Sequence, residues 1–253
     1  MPLFDNKDCF DKLNQTLPGA LKKLAEPLIL QPFSEDFSRR FCWSSNALEG
    51  NTLSLEETVA VLDYDEVQSG HSYTEYQEAK ALHRSICRQL LPLGKRRLDE
   101  PWIQKANALL MSSDGDYRTQ NVYIGTTLEA VFYPPDFSQV PEAMEKFIKR
   151  LTSGDEKSAS LPDIFQHIAE CHMEFERIHP FADGNGRTGR MILNQQLLNY
   201  GLLPIAIEPK GSYRQAFRRY DRSGDLSQMV HILCKSELDA VRRVERLYEK
   251  MPK

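Results

Sequence analysis

The stretch His179-Pro-Phe-Ala-Asp-Gly-Asn-Gly-Arg-Thr-Gly-Arg190 contains more potential chemistry than any other part of this sequence. It places a base, a carboxylate, an amide, three glycines and two arginines between two segments of helical periodicity. Pro180 is expected to end the first helix near His179, at a rigid helix end. Gly184 and Gly186 permit backbone geometries that other residues avoid. We therefore predict a functional loop between two helices.

The second half of this stretch is suited to binding anions. It opens a helix, whose free N–H groups and positive dipole end attract phosphates. Arg187 and Arg190 lie three residues apart on the first turn, where cations are unfavourable for the helix itself. An anion such as a polyphosphate between them would explain their position. Asp183 is suited to Mg²⁺, which binds through one or two carboxylates plus phosphate oxygens. Together these residues predict phosphoryl or nucleotidyl transfer.

Three other motifs fit less well. Gly184-x-Gly186-x-x-Gly189 matches the dinucleotide-binding fingerprint, but a helix and not a strand is predicted before it. The Gly-Lys-Ser/Thr ending of a P-loop is absent. His167 and His172 lack the H-E-x-x-H arrangement of a zinc protease, so a core or helix-face position is favoured for both.

Length and composition limit the class of protein. With 253 residues, 41% of them hydrophobic and 27% charged, the chain is typical of soluble proteins with one large or two small domains. The net charge of −4 makes nucleic acid an unexpected partner. No long apolar run indicates a membrane segment. Five scattered cysteines without a C-x-x-C pair predict no disulfide framework, which favours a cytoplasmic location.

Most of the chain has helical periodicity, which predicts an all-α fold. The apolar stripe from Leu161 to Ile178 is the clearest helix, and a second is expected from just after Gly186 to Gly201. Ser34 to Leu48 also looks helical and stops at Gly50. Ser54-Leu-Glu-Glu57 has the spacing of a capping box for the next helix.

Two further segments complete this prediction. Residues 117–135 are expected to form a β-hairpin, with Gly125-Thr-Thr127 between its strands. The tail from Ser236 to Lys253 is an amphipathic helix. It is expected to pack on the body of the protein or on a second subunit, which would make a homodimer.

The stretch from His179 to Arg190 resembles the signature of the Fic family, H-P-F-x-(D/E)-G-N-G-R-x-x-R, at every fixed position. The resemblance extends through the preceding helix and the hairpin, over about residues 100–220. Fic proteins transfer AMP from ATP to a hydroxyl side chain of a target protein. The resemblance implies a mainly helical Fic fold with a small β-hairpin, called the flap. It also implies protein adenylyltransferase activity, with ATP as substrate and Mg²⁺ as cofactor.

The resemblance also implies roles for individual residues. His179 would be the general base, Asp183 would hold Mg²⁺, and Arg187 and Arg190 would bind phosphates, Arg190 the γ-phosphate. The anion nest would comprise Gly184, Asn185 and Gly186, and the target would pair with the flap at Val122, Tyr123, Ile124 and Gly125.

Two positions fit this pattern loosely. Tyr213 is the candidate for the adenine pocket, with simple core packing as an equally good interpretation. Ala106-Asn-Ala-Leu-Leu110 departs from the family's Leu-His-x-x-Leu before the flap. Because the catalytic loop itself is unchanged, this departure affects a contact that supports the loop and not the predicted reaction.

A second motif, Ser45-Asn-Ala-Leu-Glu49-Gly50, resembles the inhibitory motif (S/T)-x-x-x-E-(G/N) that many Fic proteins carry. A glutamate near a helix C-terminus opposes the dipole and calls for a cation. Arg190 is the predicted partner, and the pair would occupy the γ-phosphate site. Glu49 and Ser45 are thus predicted to make the resting protein largely inactive.

The predicted organisation has three parts. Residues 1–99 form a helical region with the inhibitory helix at about 34–50, residues 100–202 form the Fic core, and residues 203–253 form C-terminal helices. Three alternative functions stay open. They are removal of AMP with the help of Glu49, transfer of another nucleotide or phosphate group, and a non-catalytic interaction module.

Overall fold

The computed structural model describes residues 3–67, 69–125, 130–152, 159–209 and 211–251. Within these ranges the chain is mainly helical, as predicted, and one pair of short antiparallel strands completes it. The helices are α1 (Lys7–Leu24), α2 (Pro27–Leu48), α3 (Leu55–Tyr64), α4 (Tyr73–Gln89), α5 (Glu100–Met111), α6 (Val140–Leu151), α7 (Leu161–Ile178), α8 (Asn185–Asn199), α9 (Gly211–Ser223) and α10 (Ser227–Glu249). The strands are β1 (Ile124–Gly125) and β2 (Ala130–Phe132).

The two helices around the functional loop lie where the periodicity predicts them. Helix α7 has the predicted bounds, and a capping box at Ser160 and Asp163 fixes its start. Helix α8 begins at Asn185, slightly earlier than expected, because Gly184 adopts a left-handed conformation as its N-cap. Gly201 is also left-handed, and the Leu202 amide donates to the Leu197 carbonyl oxygen, which closes the C-terminus as predicted.

The N-terminal helices differ from the prediction at one end. Helix α2 starts at Pro27, well before Ser34, since a proline in the first turn loses no intrahelical hydrogen bond. The predicted capping box of α3 is present. The Glu57 amide donates to Ser54 Oγ at 3.1 Å, and the Ser54 amide donates to Glu57 Oε2 at 2.8 Å.

The hairpin is shorter than the predicted segment. Its pairing joins Ile124 to Phe132 and Gly125 to Ala130, with an irregularity between the two pairs. Residues 126 and 127 of the predicted turn Gly125-Thr-Thr127 lie outside the described residues, as do residues 128 and 129.

Two hydrophobic clusters form the interior, and α7 and α8 contribute to both. One cluster gathers α1, α9 and α10 around the N-terminal half of α7, with Phe165 and Leu197 among its buried residues. The other gathers α2, α4, α5 and α6 around its C-terminal half, with Phe175 and Met191. Since both clusters hold this helix pair, the loop that joins α7 to α8 is fixed from both sides.

The C-terminal helix packs on the body of the protein. Helix α10 begins at Ser227, earlier than the predicted Ser236, and it buries Val241 and Val244 in the first cluster. Cys234 on α10 forms a disulfide with Cys9 on α1. The sequence predicted no disulfide framework, and it did not predict this single disulfide. The bond forms because α1 and α10 are neighbours, although the two cysteines lie 225 positions apart. Among the described residues, no helix is both long and apolar enough to cross a bilayer.

Helix α10 also supports the segment after α8. The fully buried Glu237 accepts a hydrogen bond from the Leu203 amide at 2.8 Å through Oε1. Its Oε2 has no partner among the described residues. Burial raises the pKa of the Glu237 carboxyl to about 8, against the smaller opposing effect of the Leu203 amide. The carboxyl is therefore largely protonated at neutral pH.

We expect Glu237→Gln to flatten the pH dependence of stability. The folded pKa lies above the unfolded value of 4.5, so the native state binds the extra proton between these values. The free energy of unfolding therefore falls as pH rises through this window, by up to ~1.4 kcal/mol per pH unit. Glutamine keeps an oxygen for the Leu203 amide but does not ionise. Urea unfolding at pH 5, 6, 7 and 8 measures the slope.

Glu249→Gln, at the exposed end of the same helix, is the control and should keep the slope of the unsubstituted protein. An equally steep slope in Glu237→Gln would contradict the assignment.

Candidate functional site

The loop between α7 and α8 is held in shape by its own asparagine. The Phe181 amide donates to Asn185 Oδ1 at 2.9 Å, and Asn185 Nδ2 donates to the Phe181 carbonyl oxygen at 2.8 Å. Asn185 is buried, so its side chain shapes the loop while its backbone amide lies in the first turn of α8. The part of Asn185 available to the predicted anion nest is therefore its main chain.

His179 ends α7 in a left-handed conformation, with φ of 49°. Its Nδ1 lies 3.3 Å from the carbonyl oxygen of Glu176. A carbonyl oxygen only accepts hydrogen bonds, so Nδ1 carries the proton and Nε2 keeps its lone pair. Burial lowers the pKa of His179, and the Arg118 charge lowers it further against the opposing effects of Glu176 and Glu49. The structure therefore gives His179 the protonation state of a general base.

Arg118 links the loop to the hairpin, a role that the sequence did not predict. Its Nε donates to the His179 carbonyl oxygen at 2.9 Å, and its two terminal nitrogens donate to the carbonyl oxygens of Gln120 and Pro135. One buried guanidinium thus fixes both ends of the hairpin against the residue at the end of α7.

The start of α8 leaves backbone donors free for a ligand. Gly184 has φ of 75°, and its amide donates to Asp183 Oδ1 at 2.5 Å. The next three amides, of residues 185–187, have no carbonyl partner within a helix that starts there. A Cβ at Gly186 would come 2.2 Å from Glu49 Oε1, so glycine is required for the close approach of Glu49. The Glu49 carboxylate therefore lies against the first turn of α8, which contains these amides.

Asp183 is exposed beside this point, with 70% of its side-chain surface accessible. The described residues contain no cluster of three or more histidine, cysteine or acidic side chains that would hold a metal alone. Mg²⁺ often binds through one carboxylate together with phosphate oxygens, and Asp183 fits that arrangement.

Arg190 is almost completely buried and is bound by the end of α2. Its Nε donates to Ser45 Oγ at 2.8 Å, and its Nη2 donates to the Ser45 carbonyl oxygen at 2.8 Å. The same Nη2 lies 2.5 Å from Glu49 Oε1. The structure thus brings together the three residues that the two motifs singled out.

The charges of this pair stabilise each other. Burial alone would raise the pKa of the Glu49 carboxyl, but Arg190, with smaller effects from Arg187 and Arg214, brings it below its usual value. Burial opposes the charge of Arg190, yet Glu49 and neighbouring groups raise its pKa. Both groups are therefore ionised at neutral pH.

Arg187 lies on the same turn, and its side chain is 6% exposed. Its Nη1 forms an ion pair with Glu78 Oε1 on α4 at 3.3 Å, and its Nη2 lies 3.8 Å from Asp183 Oδ1. Its Nε has no hydrogen-bond partner among the described residues. Sequence analysis did not detect Glu78, since no motif joins α4 to α8.

Tyr213 is buried beneath Arg190. Its hydroxyl lies 2.6 Å from His172 Nε2 and 3.5 Å from Arg190 Nη1. Burial and the charge of Arg190 lower the pKa of His172 to about 3, so this imidazole is neutral and accepts from the tyrosine. A role for Tyr213 in the adenine pocket stays a prediction, and its 5% exposure favours the alternative of core packing.

Two further residues support the site without having been predicted. Asn107 on α5 donates through Nδ2 to the Asp183 carbonyl oxygen at 2.9 Å and to Thr188 Oγ1 at 3.3 Å. It occupies the position where the sequence departs from the family pattern, and it supplies a contact to the loop. Glu176 is buried, and its Oε1 lacks a hydrogen-bond partner among the described residues. Burial raises its pKa to about 7.

The predicted flap residues lie at and before β1. Tyr123 is exposed, Val122 and Ile124 are half-buried, and Gly125 is exposed. On the other strand, Phe132 lies against the Arg177 guanidinium, with 4.4 Å from Cζ to the ring centre. The hairpin therefore stands beside the C-terminal end of α7.

Comparison with known proteins finds one family. A model of the Fic/DOC family matches residues 73–197. The protein adenylyltransferase fic-1 of Caenorhabditis elegans is 29% identical over 213 residues, which cover 80% of this chain and 40% of that protein. The protein adenylyltransferase Fic of Drosophila mojavensis is 30% identical over 200 residues, covering 76% and 38%. The chain spans about two fifths of the length of these curated relatives.

Two solved structures share the fold. A Fic-domain-containing signaling protein from Bacteroides thetaiotaomicron superposes with a TM-score of 0.80 and 23% identity, covering 96% of this chain and 98% of that one. Fic-1 from C. elegans superposes with a TM-score of 0.77 and 20% identity, covering 96% and 73%. Both cover nearly the whole of this chain, including the helices before and after the matched family region.

We expect Asn107→Ala to destabilise the protein by about 1–3 kcal/mol, because it leaves the Asp183 carbonyl oxygen and the buried Thr188 hydroxyl without this donor. Thermal and urea unfolding measure the loss. Lys105→Ala, an exposed substitution on the same helix, should stay within ~0.5 kcal/mol of the unsubstituted protein. Equal stability of the two variants would show that Asn107 does not support the loop.

Proposed function

The chain belongs to the Fic/DOC family, and from this membership we propose that it is a protein adenylyltransferase. It would transfer AMP from ATP to a serine, threonine or tyrosine hydroxyl of a target protein. The observation that carries the proposal is the neutral His179, with Nε2 free, beside the unpaired amides and arginines at the start of α8.

The proposed step is an attack by the target hydroxyl on the α-phosphorus of ATP. His179 Nε2 takes the hydroxyl proton as the oxygen–phosphorus bond forms. The bond from the α-phosphorus to its bridging oxygen breaks, and pyrophosphate leaves. The products are an AMP-modified side chain and pyrophosphate, with the proton on His179.

The chain's own charges are suited to the phosphates. The amides of residues 185–187 and the Arg187 guanidinium would bind and orient the polyphosphate. Asp183 would hold Mg²⁺ together with phosphate oxygens, and the metal would neutralise charge on the leaving group. Nucleotides other than ATP stay an alternative, since the buried Tyr213 offers little ring surface to a base.

The resting enzyme is proposed to be inhibited by Glu49. Its carboxylate is bound to Arg190 at 2.5 Å, and Ser45 holds the same guanidinium through two further contacts. A γ-phosphate that needs Arg190 would have to displace Glu49. The inhibition is thus a competition between a carboxylate and a phosphate for one buried cation.

The target would dock on the flap by main-chain pairing. The exposed Tyr123 precedes β1, and the exposed Gly125 ends it. The described partner of β1 is β2, which leaves the other edge of β1 for a peptide. Removal of AMP is a second candidate, because the Glu49 side chain keeps 40% of its surface accessible and its carboxylate is ionised. Such a group could orient a water molecule towards a modified target.

Two further proposals concern location and assembly. A cytoplasmic location is supported by the free Cys42, Cys87 and Cys171, and in that compartment the Cys9–Cys234 disulfide would be reduced. The homodimer stays a prediction without support from α10, which packs on its own chain.

We expect Glu49→Gly to raise labelling of the protein itself or of a target from ATP by about tenfold or more. A hydrogen bond to a charged group is worth roughly 1.5–3 kcal/mol, and the substitution removes one that opposes productive binding. Incubation with labelled ATP, UTP and GTP, followed by mass spectrometry, identifies both the nucleotide and the modified residue. Glu56→Gln, an exposed carboxylate on α3, is the charge control.

Unchanged labelling by Glu49→Gly with intact ATP binding would contradict inhibition by Glu49. If the Glu49→Gly variant attaches label to a target and the unsubstituted protein then removes it, the result would favour AMP removal as the main activity.

We expect His179→Ala in the Glu49→Gly background to lose transfer by roughly 10²–10⁴-fold, the usual contribution of a positioned base. ATP binding, measured by calorimetry, should change little, since the phosphate-binding groups are untouched. His167→Ala, a histidine of α7 away from the loop, is the control. Full transfer by His179→Ala would exclude the proposed base.

A further inference from the structure

Glu78 on α4 forms an ion pair with Arg187, as Glu49 does with Arg190. Its Oε1 lies 3.3 Å from Arg187 Nη1. The side chain of Glu78 is 29% exposed, while that of Arg187 is 6% exposed. Each arginine predicted to bind phosphate is thus paired with at least one carboxylate, so the resting site has no excess of positive charge from these two residues.

Glu78 is held in place independently of Arg187. Its Oε2 accepts a hydrogen bond from Asn51 Nδ2 at 3.0 Å. The same Nδ2 donates to the Glu75 carbonyl oxygen at 3.1 Å, and the Asn51 amide donates to the Asn46 carbonyl oxygen. Glu78 is therefore fixed to the turn that follows Glu49, and it does not need the arginine to define its position.

Arg187 retains unused donor capacity. Glu78 contacts Nη1, while Nη2 lies 3.8 Å from Asp183 Oδ1 and donates only a long contact of 3.9 Å to Met111 Sδ. The Nε atom has no hydrogen-bond partner among the described residues. A buried guanidinium with an unpaired donor gains hydrogen bonds when a multivalent anion arrives. A phosphate would thus bind Arg187 more completely than Glu78 does.

We propose that Glu78 is a second competing carboxylate, a counter-ion of Arg187 that the phosphates of the nucleotide must displace. The inference rests on the proposed function and concerns the regulation of the same site. It assigns to Glu78 an effect on phosphate affinity, separate from the effect of Glu49 on Arg190. Glu49, which shortly precedes Asn51 in the chain, and Glu78, which is hydrogen-bonded to Asn51, would then both lower the affinity of the resting site for phosphates.

The alternative is that Glu78 positions Arg187 for the phosphates. The two roles predict opposite signs. A competitor weakens nucleotide binding, so its neutralisation tightens binding. A positioning residue strengthens it, so its removal weakens binding or leaves it unchanged.

The test measures binding of Mg·ATP and of inorganic tripolyphosphate by calorimetry to the full chain. Glu78→Gln retains an oxygen for Asn51 and removes the charge next to Arg187. We expect its Kd for both probes to fall by about three- to tenfold, with a larger fall at low than at high ionic strength. Tripolyphosphate has no base, so a gain shared by both probes lies in the phosphate site.

Glu78→Ala serves as the second variant, because it removes the charge without offering a substitute contact. Competition predicts tighter binding in this variant too. Glu56→Gln, which removes an exposed carboxylate of α3, controls for the change in net charge and should leave both Kd values unchanged. Thermal unfolding of each variant verifies that it is folded.

Unchanged or weaker binding by folded Glu78→Gln, while the unsubstituted protein binds ATP, would overturn the role of Glu78 and leave the proposed function intact. Equal tightening by Glu56→Gln would also overturn it, because the effect would then be one of net charge. If neither the unsubstituted protein nor Glu49→Gly binds ATP, the proposed function fails, and the inference fails with it.

Discussion

The ion pair between Arg190 and the end of α2 is the interaction on which the site depends. A guanidinium that is 2% exposed must find partners for its donors, since a buried charge without them is strongly destabilising. Ser45 and Glu49 supply these partners. The last turn of α2 contains no basic residue that could offset Glu49 locally. If the two helices were apart, Glu49 would be an unfavourable negative charge at the C-terminus of α2, and Arg190 an unfavourable positive charge near the N-terminus of α8. Contact between them cancels both costs.

This contact is effective because the helices that carry it do not move easily. Helices α7 and α8 are packed into both hydrophobic clusters, and Asn185 closes the loop between them. Gly186 leaves just enough space for the Glu49 carboxylate, since a Cβ there would come 2.2 Å from its oxygen. Displacement of the Glu49 carboxylate would therefore require movement of a side chain and not of the backbone.

Sequence reasoning found the parts of the site that lie within motifs. The bounds of α7 and the capping box at Ser54 follow from local periodicity and hydrogen bonding, and the partnership of Glu49 with Arg190 follows from two unfavourable helix-end charges. Glu78 and Asn107 were missed because Glu78 contacts α8 and Asn107 contacts the loop from helices distant in sequence, and no local pattern encodes such contacts. The disulfide was missed for the same reason, since only the packing of α1 on α10 brings its cysteines together.

The charge of the site was the least predictable property. From the sequence, Arg187 and Arg190 form a positive nest, but in the fold each faces a carboxylate. A third carboxyl, Glu176, lies buried near Arg190, and its pKa of about 7 means that its charge varies in the physiological range. Glu49 raises the pKa of Glu176 and Arg190 lowers it, so the charge of Glu176 depends on which groups surround Arg190. An anion of higher charge in place of Glu49 would repel an ionised Glu176 more strongly than Glu49 does, so it would favour the protonated form of this carboxyl.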